Sequence, residues 1–192
     1  MPAPLSRYTA QAIVSSPLGD IRLARTDSGL AGAWFIHGKK DHPALLPDVA
    51  MSPEDTLLLQ AAQQFERYWL GQATSFEVPL DLVGTPFQRA VWQALLEIPF
   101  GATRTYGDIA RHIGQPKASQ AVGMAVGANP LIVIVPCHRI IGRDARLTGF
   151  SSGLPRKIDL LQREGLTVEG EFVRLPDAQQ PTLFDDASGA RA

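Results

Sequence analysis

The chain has 192 residues, with 18 Lys and Arg against 19 Asp and Glu, 45% apolar residues, four histidines and one cysteine. Such an apolar fraction builds a proper core, and the length fits one compact domain plus a smaller one, which excludes disorder as the main state. A single Cys excludes an intramolecular disulfide and a Cys-rich zinc cage.

Residues 1–8 show no basic region followed by a long apolar stretch. No apolar run reaches the roughly 18 residues that a membrane helix requires, so a soluble cytoplasmic protein is expected, with no membrane partner. The net charge of −1 is a sum over unlike parts. Residues 1–83 carry 6 basic and 9 acidic side chains, residues 84–175 carry 11 and 7, and residues 176–192 carry 1 and 3. The middle part, at +4, permits a phosphate-facing surface. These three parts are also the expected domains: an N-terminal α/β domain, a mildly basic second domain, and a flexible tail.

In chain order, residues 13–15 and 21–24 flank Ser16-Pro17-Leu18-Gly19-Asp20, and residues 30–36 follow the turn signal Asp27-Ser28-Gly29. This pattern predicts a small antiparallel sheet. His42-Pro43, Leu46-Pro47 and Ser52-Pro53 mark a linker-like stretch. Beyond it Leu57, Leu58, Ala61, Ala62, Phe65, Tyr68 and Trp69 recur at helical spacing up to Gly71. Thr85-Pro86-Phe87-Gln88 has the makings of a capping box with Pro at the first helical position, and the helix it opens ends at Ile98-Pro99.

Two short helices, residues 105–113 and 117–127, are joined by Gly114-Gln115-Pro116, a spacing that suggests a helix-turn-helix. The second is nearly bald. Ala118, Ala121, Gly123, Ala125, Gly127 and Ala128 leave it little side-chain bulk, and each Gly costs about 1 kcal/mol against Ala, so a close approach to its backbone is expected. Residues 131–135 are a β-branched, strand-like run that should be buried, ending in Pro136-Cys137-His138-Arg139. A last helix, residues 155–164, leads to a strand-like ending and a polar tail that should be mobile.

Only a thiolate is a strong nucleophile, and burial favours the thiol, so a reactive Cys137 needs a base and a path for its proton. His138 is the adjacent base, although consecutive side chains point apart and contact needs a bend or a bridging water. Glu164 can hold the imidazole. The residues alone favour a buried structural Cys with a nearby surface His, since free Cys is commonly a core residue.

The run Pro136-Cys137-His138-Arg139-Ile140-Ile141-Gly142, preceded by Asn129-Pro130 and the Ala/Gly-rich helix, resembles the active-site signature of the O6-alkylguanine-DNA alkyltransferases. The resemblance covers about residues 84–165 in order, including Thr85-Pro86-Phe87, Phe100-Gly101, Thr105-Tyr106 and Glu164-Gly165; Ser16-Pro17-Leu18-Gly19 resembles that family's first domain more weakly. It implies an α+β fold: a ribonuclease H-like N-terminal sheet with a helix, then a mostly helical domain with the helix-turn-helix.

It also implies irreversible transfer of an alkyl group from guanine O6 in double-stranded DNA to Cys137, by a monomer that uses no cofactor and no metal. Carried onto matching positions, His138 relays the Cys137 proton, Glu164 orients His138, and Asn129 braces the turn. Tyr106 donates to the leaving guanine, Ser151 in the Phe150-Ser151 loop contacts the O6 side, and the backbone at Val135 and Cys137 meets the exocyclic amine. The nucleotide would be rotated out of the duplex. The bald helix, with Ala121 and Gly123, would lie in the minor groove, and Arg89, Arg111 and Lys117 would meet phosphates.

Three departures stand out. The family's arginine finger is replaced by Gln120, and its Tyr-Ser-Gly-Gly loop reads Phe150-Ser151-Ser152-Gly153. The first domain has no Cys for the zinc site that some members carry. In the tail, Gln180-Pro181-Thr182-Leu183-Phe184 resembles the Gln-x-x-Leu-Phe peptide that docks on bacterial sliding clamps, with Gln180, Leu183 and Phe184 as anchors. The alternative function is a damage sensor of the same fold that binds without reacting.

Overall fold

The structure, a computed structural model, describes residues 7–36, 46 and 48–174. The tail motif at Gln180, Leu183 and Phe184 lies outside the described residues, as do residues 41–45 and 47 of the Pro-containing linker. The expected antiparallel sheet is present, with β1 (Ala10–Val14), β2 (Ile21–Thr26) and β3 (Gly29–Phe35) in the order β1-β2-β3. Its β1–β2 turn is Ser16 to Gly19, closed by the Gly19 N–H on the Ser16 carbonyl and by Gly19 at φ +109°, where a side chain would be strained.

Helix α1 (Thr56–Trp69) is capped by the Asp55 carboxylate, which accepts from Leu57 and Leu58 N–H. It lays Leu58, Ala61, Phe65 and Tyr68 on the core. Helix α2 (Pro86–Leu96) starts with the predicted capping box: Thr85 accepts from Gln88 N–H, and the Gln88 side chain accepts from Thr85 N–H. Strand β4 (Arg104–Thr105) runs into α3 (Tyr106–His112), which has a second capping box made by Thr105 and Asp108. Helix α4 (Ser119–Gly127) begins two residues later than the pattern suggests and has no side-chain cap.

The run 131–135 is buried as expected, but it is not a strand. It coils: Val135 N–H reaches the Leu131 carbonyl, Ile134 N–H reaches the Ile132 carbonyl, and Val133 takes φ +67°. The β-branched composition describes a segment enclosed on all sides, which here is a turn inside the core rather than a pleated strand. A 3-10 turn (Cys137–Arg139), β5 (Ile140–Ile141, parallel to β4), α5 (Leu154–Arg163) and the hairpin β6 (Thr167–Glu169) and β7 (Phe172–Arg174) complete the chain.

One contiguous apolar core joins the two halves, from Ala10 and Phe35 through Phe65 and Trp92 to Val135 and Leu160. The outer edge of β3 is covered by residues 79–81 of the first half and by residues 130–132 of the second. Leu30 pairs in parallel with Leu80, and Ala33 with Leu131, through Ala33 N–H to the Pro130 carbonyl at 2.9 Å and Ile132 N–H to the Ala33 carbonyl at 3.1 Å. This covering satisfies an edge that would otherwise present unpaired backbone groups. It also fixes the segment that leads into Cys137. Among the described residues no helix is long and apolar enough to cross a membrane.

Candidate active site

Cys137 opens the 3-10 turn and is 3% exposed. Asn129, at the end of α4, binds both ends of the turn beneath it. Its Oδ1 accepts Leu131 N–H at 2.9 Å, and its Nδ2 donates to the Val135 carbonyl at 2.8 Å and to Cys137 Sγ at 3.0 Å. Burial pushes the Cys137 thiol above its ordinary value, while the Asn129 donor pulls the other way by favouring the thiolate.

His138, fully buried, places Nε2 2.8 Å from Glu164 Oε1. Burial holds the imidazole below its usual range, against the opposing pull of Glu164. The carboxylate thus fixes one ring nitrogen as the N–H donor and leaves Nδ1 as the base. Nδ1 is buried and has no hydrogen-bond partner among the described residues.

Glu164 sits at the C-cap of α5. Burial alone would raise its pKa, but the hydrogen bonds and charge of His138 and Arg139 hold it at about 2. Arg139 binds it in a fork, Nε to Oε2 at 2.8 Å and Nη2 to Oε1 at 2.9 Å. Gly101 N–H donates to Oε2 at 3.2 Å, and Tyr68 of α1 donates to Oε1 at 2.9 Å. Gly101, at φ +73°, also lies so near that a Cβ would stand 2.9 Å from the Glu164 carbonyl, so the turn accepts only glycine.

Lys157, 1% exposed, donates to the Ile140 carbonyl at 2.5 Å and the Thr148 carbonyl at 3.2 Å, and burial lowers its pKa to about 8. It braces β5 against the loop before α5.

The remaining sequence-predicted residues are less concentrated. Tyr106 at the start of α3 is half-buried, with its hydroxyl 2.8 Å from Thr148 Oγ1. Phe150 packs on the main core, and Ser151 is half-buried beside it. The Val135 carbonyl accepts Asn129 Nδ2–H and Cys137 N–H. Arg89, Arg111, Lys117 and Gln120 are exposed. Arg111 is paired with Asp108, and Arg89 donates to the Gly84 carbonyl.

The inner side of α4 meets Tyr106 and Trp92 at ordinary contact distance, and its outer side is open. A Cβ on Gly123 would stand 3.7 Å from the Tyr106 ring, and the Ala125 carbonyl accepts Trp92 Nε1–H at 2.9 Å, whereas around Gly127 the space is open. The large side chain on the exposed side is Met124, at 69% exposure, one turn beyond Gln120.

Sequence reasoning missed Tyr68, Arg139 and Lys157 as members of this cluster. A signal existed for Lys157, because Lys157, Leu160, Leu161 and Glu164 follow the i, i+3, i+4, i+7 spacing of a buried helical stripe. Two charged residues on such a stripe must have buried partners. Among the described residues no group of three or more His, Cys, Asp or Glu could hold a metal.

Two family models match consecutive parts of the chain. Residues 10–82 match the ribonuclease-like domain of 6-O-methylguanine DNA methyltransferase, and residues 86–166 match its DNA-binding domain. The methylated-DNA--protein-cysteine methyltransferase of Methanosarcina acetivorans is 49% identical over 154 residues, which is 80% of this chain and 97% of the relative. That of Mycobacterium leprae is 43% identical, over 79% and 89%.

The crystal structure of Mycobacterium tuberculosis O6-methylguanine methyltransferase superposes with a TM-score of 0.73 at 41% identity, covering 81% of this chain and 92% of that one. The M. tuberculosis OGT in complex with DNA gives 0.71 at the same identity and coverage. With both halves matched in order, the chain belongs to the 6-O-methylguanine DNA methyltransferase family.

Proposed function

We propose that this chain, a methylated-DNA--protein-cysteine methyltransferase, repairs O6-alkylguanine by moving the alkyl group irreversibly to Cys137. The observation that carries this reading is the burial of the lone cysteine beside a neutral histidine whose far nitrogen is fixed by a carboxylate. The thiol proton passes to His138 Nδ1, directly or through one water, and Glu164 stabilises the imidazolium that results. The thiolate attacks the alkyl carbon, an S–C bond forms, and the C–O6 bond breaks with its electron pair going to guanine. Tyr106 donates a hydrogen bond to the departing base, which takes up one proton in place of the one lost from Cys137, so that Tyr106 and His138 end neutral. A thioether has no neighbouring group to release it, so each chain acts once. Neither a cofactor nor a metal is needed for this displacement.

The target atom is out of reach inside a duplex, so the nucleotide is flipped out, with α4 in the minor groove and Lys117, Arg111 and Arg89 near phosphates. Support comes from the open space at Gly127 and from Gln120 and Met124 on the exposed side of α4. The division at residues 83 and 84, with a tail from 176, follows the same assignment. A single-use thiol suits the reducing cytoplasm, and one chain suffices for the chemistry. The tail segment with Gln180, Leu183 and Phe184 docks on a bacterial sliding clamp; a chain ending at Gln179 that binds the clamp as well as full length does would sink this part.

The deciding experiment is intact mass after incubation with a duplex bearing one O6-methylguanine. Transfer adds about 14 Da, one CH₂ gained at the thiolate sulfur, to Cys137 and nothing to Cys137→Ala. Unchanged mass with tight binding would make the chain a sensor instead.

A further inference from the structure

Tyr68 stands on α1, in the first half of the chain, and its hydroxyl crosses to Glu164 Oε1 at 2.9 Å. The same oxygen accepts from His138 Nε2 at 2.8 Å and from Arg139 Nη2 at 2.9 Å, while Oε2 accepts from Arg139 Nε and Gly101 N–H. A carboxylate offers about four lone-pair sites, and this one serves five donors, three of them on the oxygen that faces the imidazole. The Arg139 fork and Gly101 already fix the carboxylate plane, so Tyr68 is not required to orient it. What its hydroxyl does is draw on the negative charge that His138 would otherwise use.

We infer that Tyr68 is a positioning residue that restrains Cys137: by sharing Glu164 Oε1 it weakens the carboxylate's support for a protonated His138, and so keeps the thiol protonated. The inference rests on the reading of Cys137 as a single-use acceptor, for which a thiol that ionises only in the presence of its substrate is an advantage. The surroundings act in the same sense. Arg139 beside the imidazole and Lys157 on α5 both disfavour an imidazolium, and Arg163 lies near Tyr68. Glu164 is thus the counter-charge on which a His138 proton depends. Burial reinforces the effect, since it pushes the Cys137 thiol up and the His138 imidazole down. The equilibrium concerned is one proton moving from Cys137 Sγ to His138 Nδ1, with nothing else gained or lost.

The test uses the fact that the chain has one cysteine. With cysteine labelled at ¹³Cβ, the full-length protein gives a single resonance whose shift follows thiol ionisation and needs no access by a reagent. Tyr68→Phe leaves Glu164 Oε1 with two donors, so no buried acceptor is orphaned and the fold is retained. The thiolate–imidazolium form exchanges no proton with solvent, so the readout is the pH-independent shift well below the thiol midpoint, where the thiolate share is expected to rise about threefold.

An unchanged thiolate share would make Tyr68 a structural residue only, and a smaller one would make it a prop for Glu164; either overturns the inference. Circular dichroism verifies folding, and Tyr68→Leu carries the same comparison if the Phe variant does not fold. Transfer from the O6-methylguanine duplex by the unaltered chain is measured separately. Failure there would sink the proposed function while the titration still reports on Tyr68.

Discussion

Asn129 commits both ends of its amide to the turn that carries Cys137. Asn129→Ala leaves the buried Leu131 N–H without a partner, at a cost of about 1–3 kcal/mol, and takes from Sγ the donor that favours its thiolate. Urea denaturation should show that loss of stability, and the Cys137 midpoint should rise; a midpoint that stays put would show that the amide braces the turn without acting on the thiol. At this scale the sequence carried Cys137, His138, Asn129 and Glu164, because the residues around them form a contiguous motif or end a helix. Tyr68 could not be found that way. It completes an apolar stripe on α1 as any core aromatic would, and its partner lies 96 residues further along the chain.

The helices were legible because their causes are local: Asp55, Thr85 and Thr105 cap within three residues of themselves. The segment 131–135 was not, since its winding is imposed by Asn129 and by Ala33, which composition does not reveal. Helix α4 was read as bald for the sake of an outside partner, and nothing inside forbids a side chain at Gly123 or Gly127, where a Cβ meets ordinary contact or open space.

The open part of that helix carries a testable difference. Gln120→Arg adds one cation on the exposed side of α4, so DNA affinity and the single-turnover rate should both rise. The salt dependence of binding should steepen by about one unit of log slope. Equal affinity, rate and slope would show that extrusion does not rely on this position. Met124→Ala, which shortens the exposed side chain one turn on, should slow transfer in a single-turnover assay with little change in melting temperature.

Across the molecule, the buried cluster sets the response to pH. His138 is kept neutral below its usual 6.5 and Glu164 is held at about 2 instead of 4.5. In both cases the unfolded chain binds more protons, so stability is present above the unfolded values and is lost on acidification. The His138 part goes as pH falls through 6.5. The Glu164 part, about 3 kcal/mol, goes between 4.5 and 2. Denaturation midpoints measured from pH 7 down to 3 should fall in these two stages, and Glu164→Gln should flatten the second; a level profile would refute the assignment.

The bonds between Ala33 and residues 130–132 have a consequence in time as well as in space. The strand is synthesised about a hundred residues before the segment that covers its edge, and closing so long a loop belongs to the late part of folding. The thiol at position 137 therefore gains its base and its donor only after the sheet, α1 and α5 have met. An unfinished chain carries a cysteine of ordinary acidity, and the raised thiol with its carboxylate-held histidine belongs to the completed molecule alone.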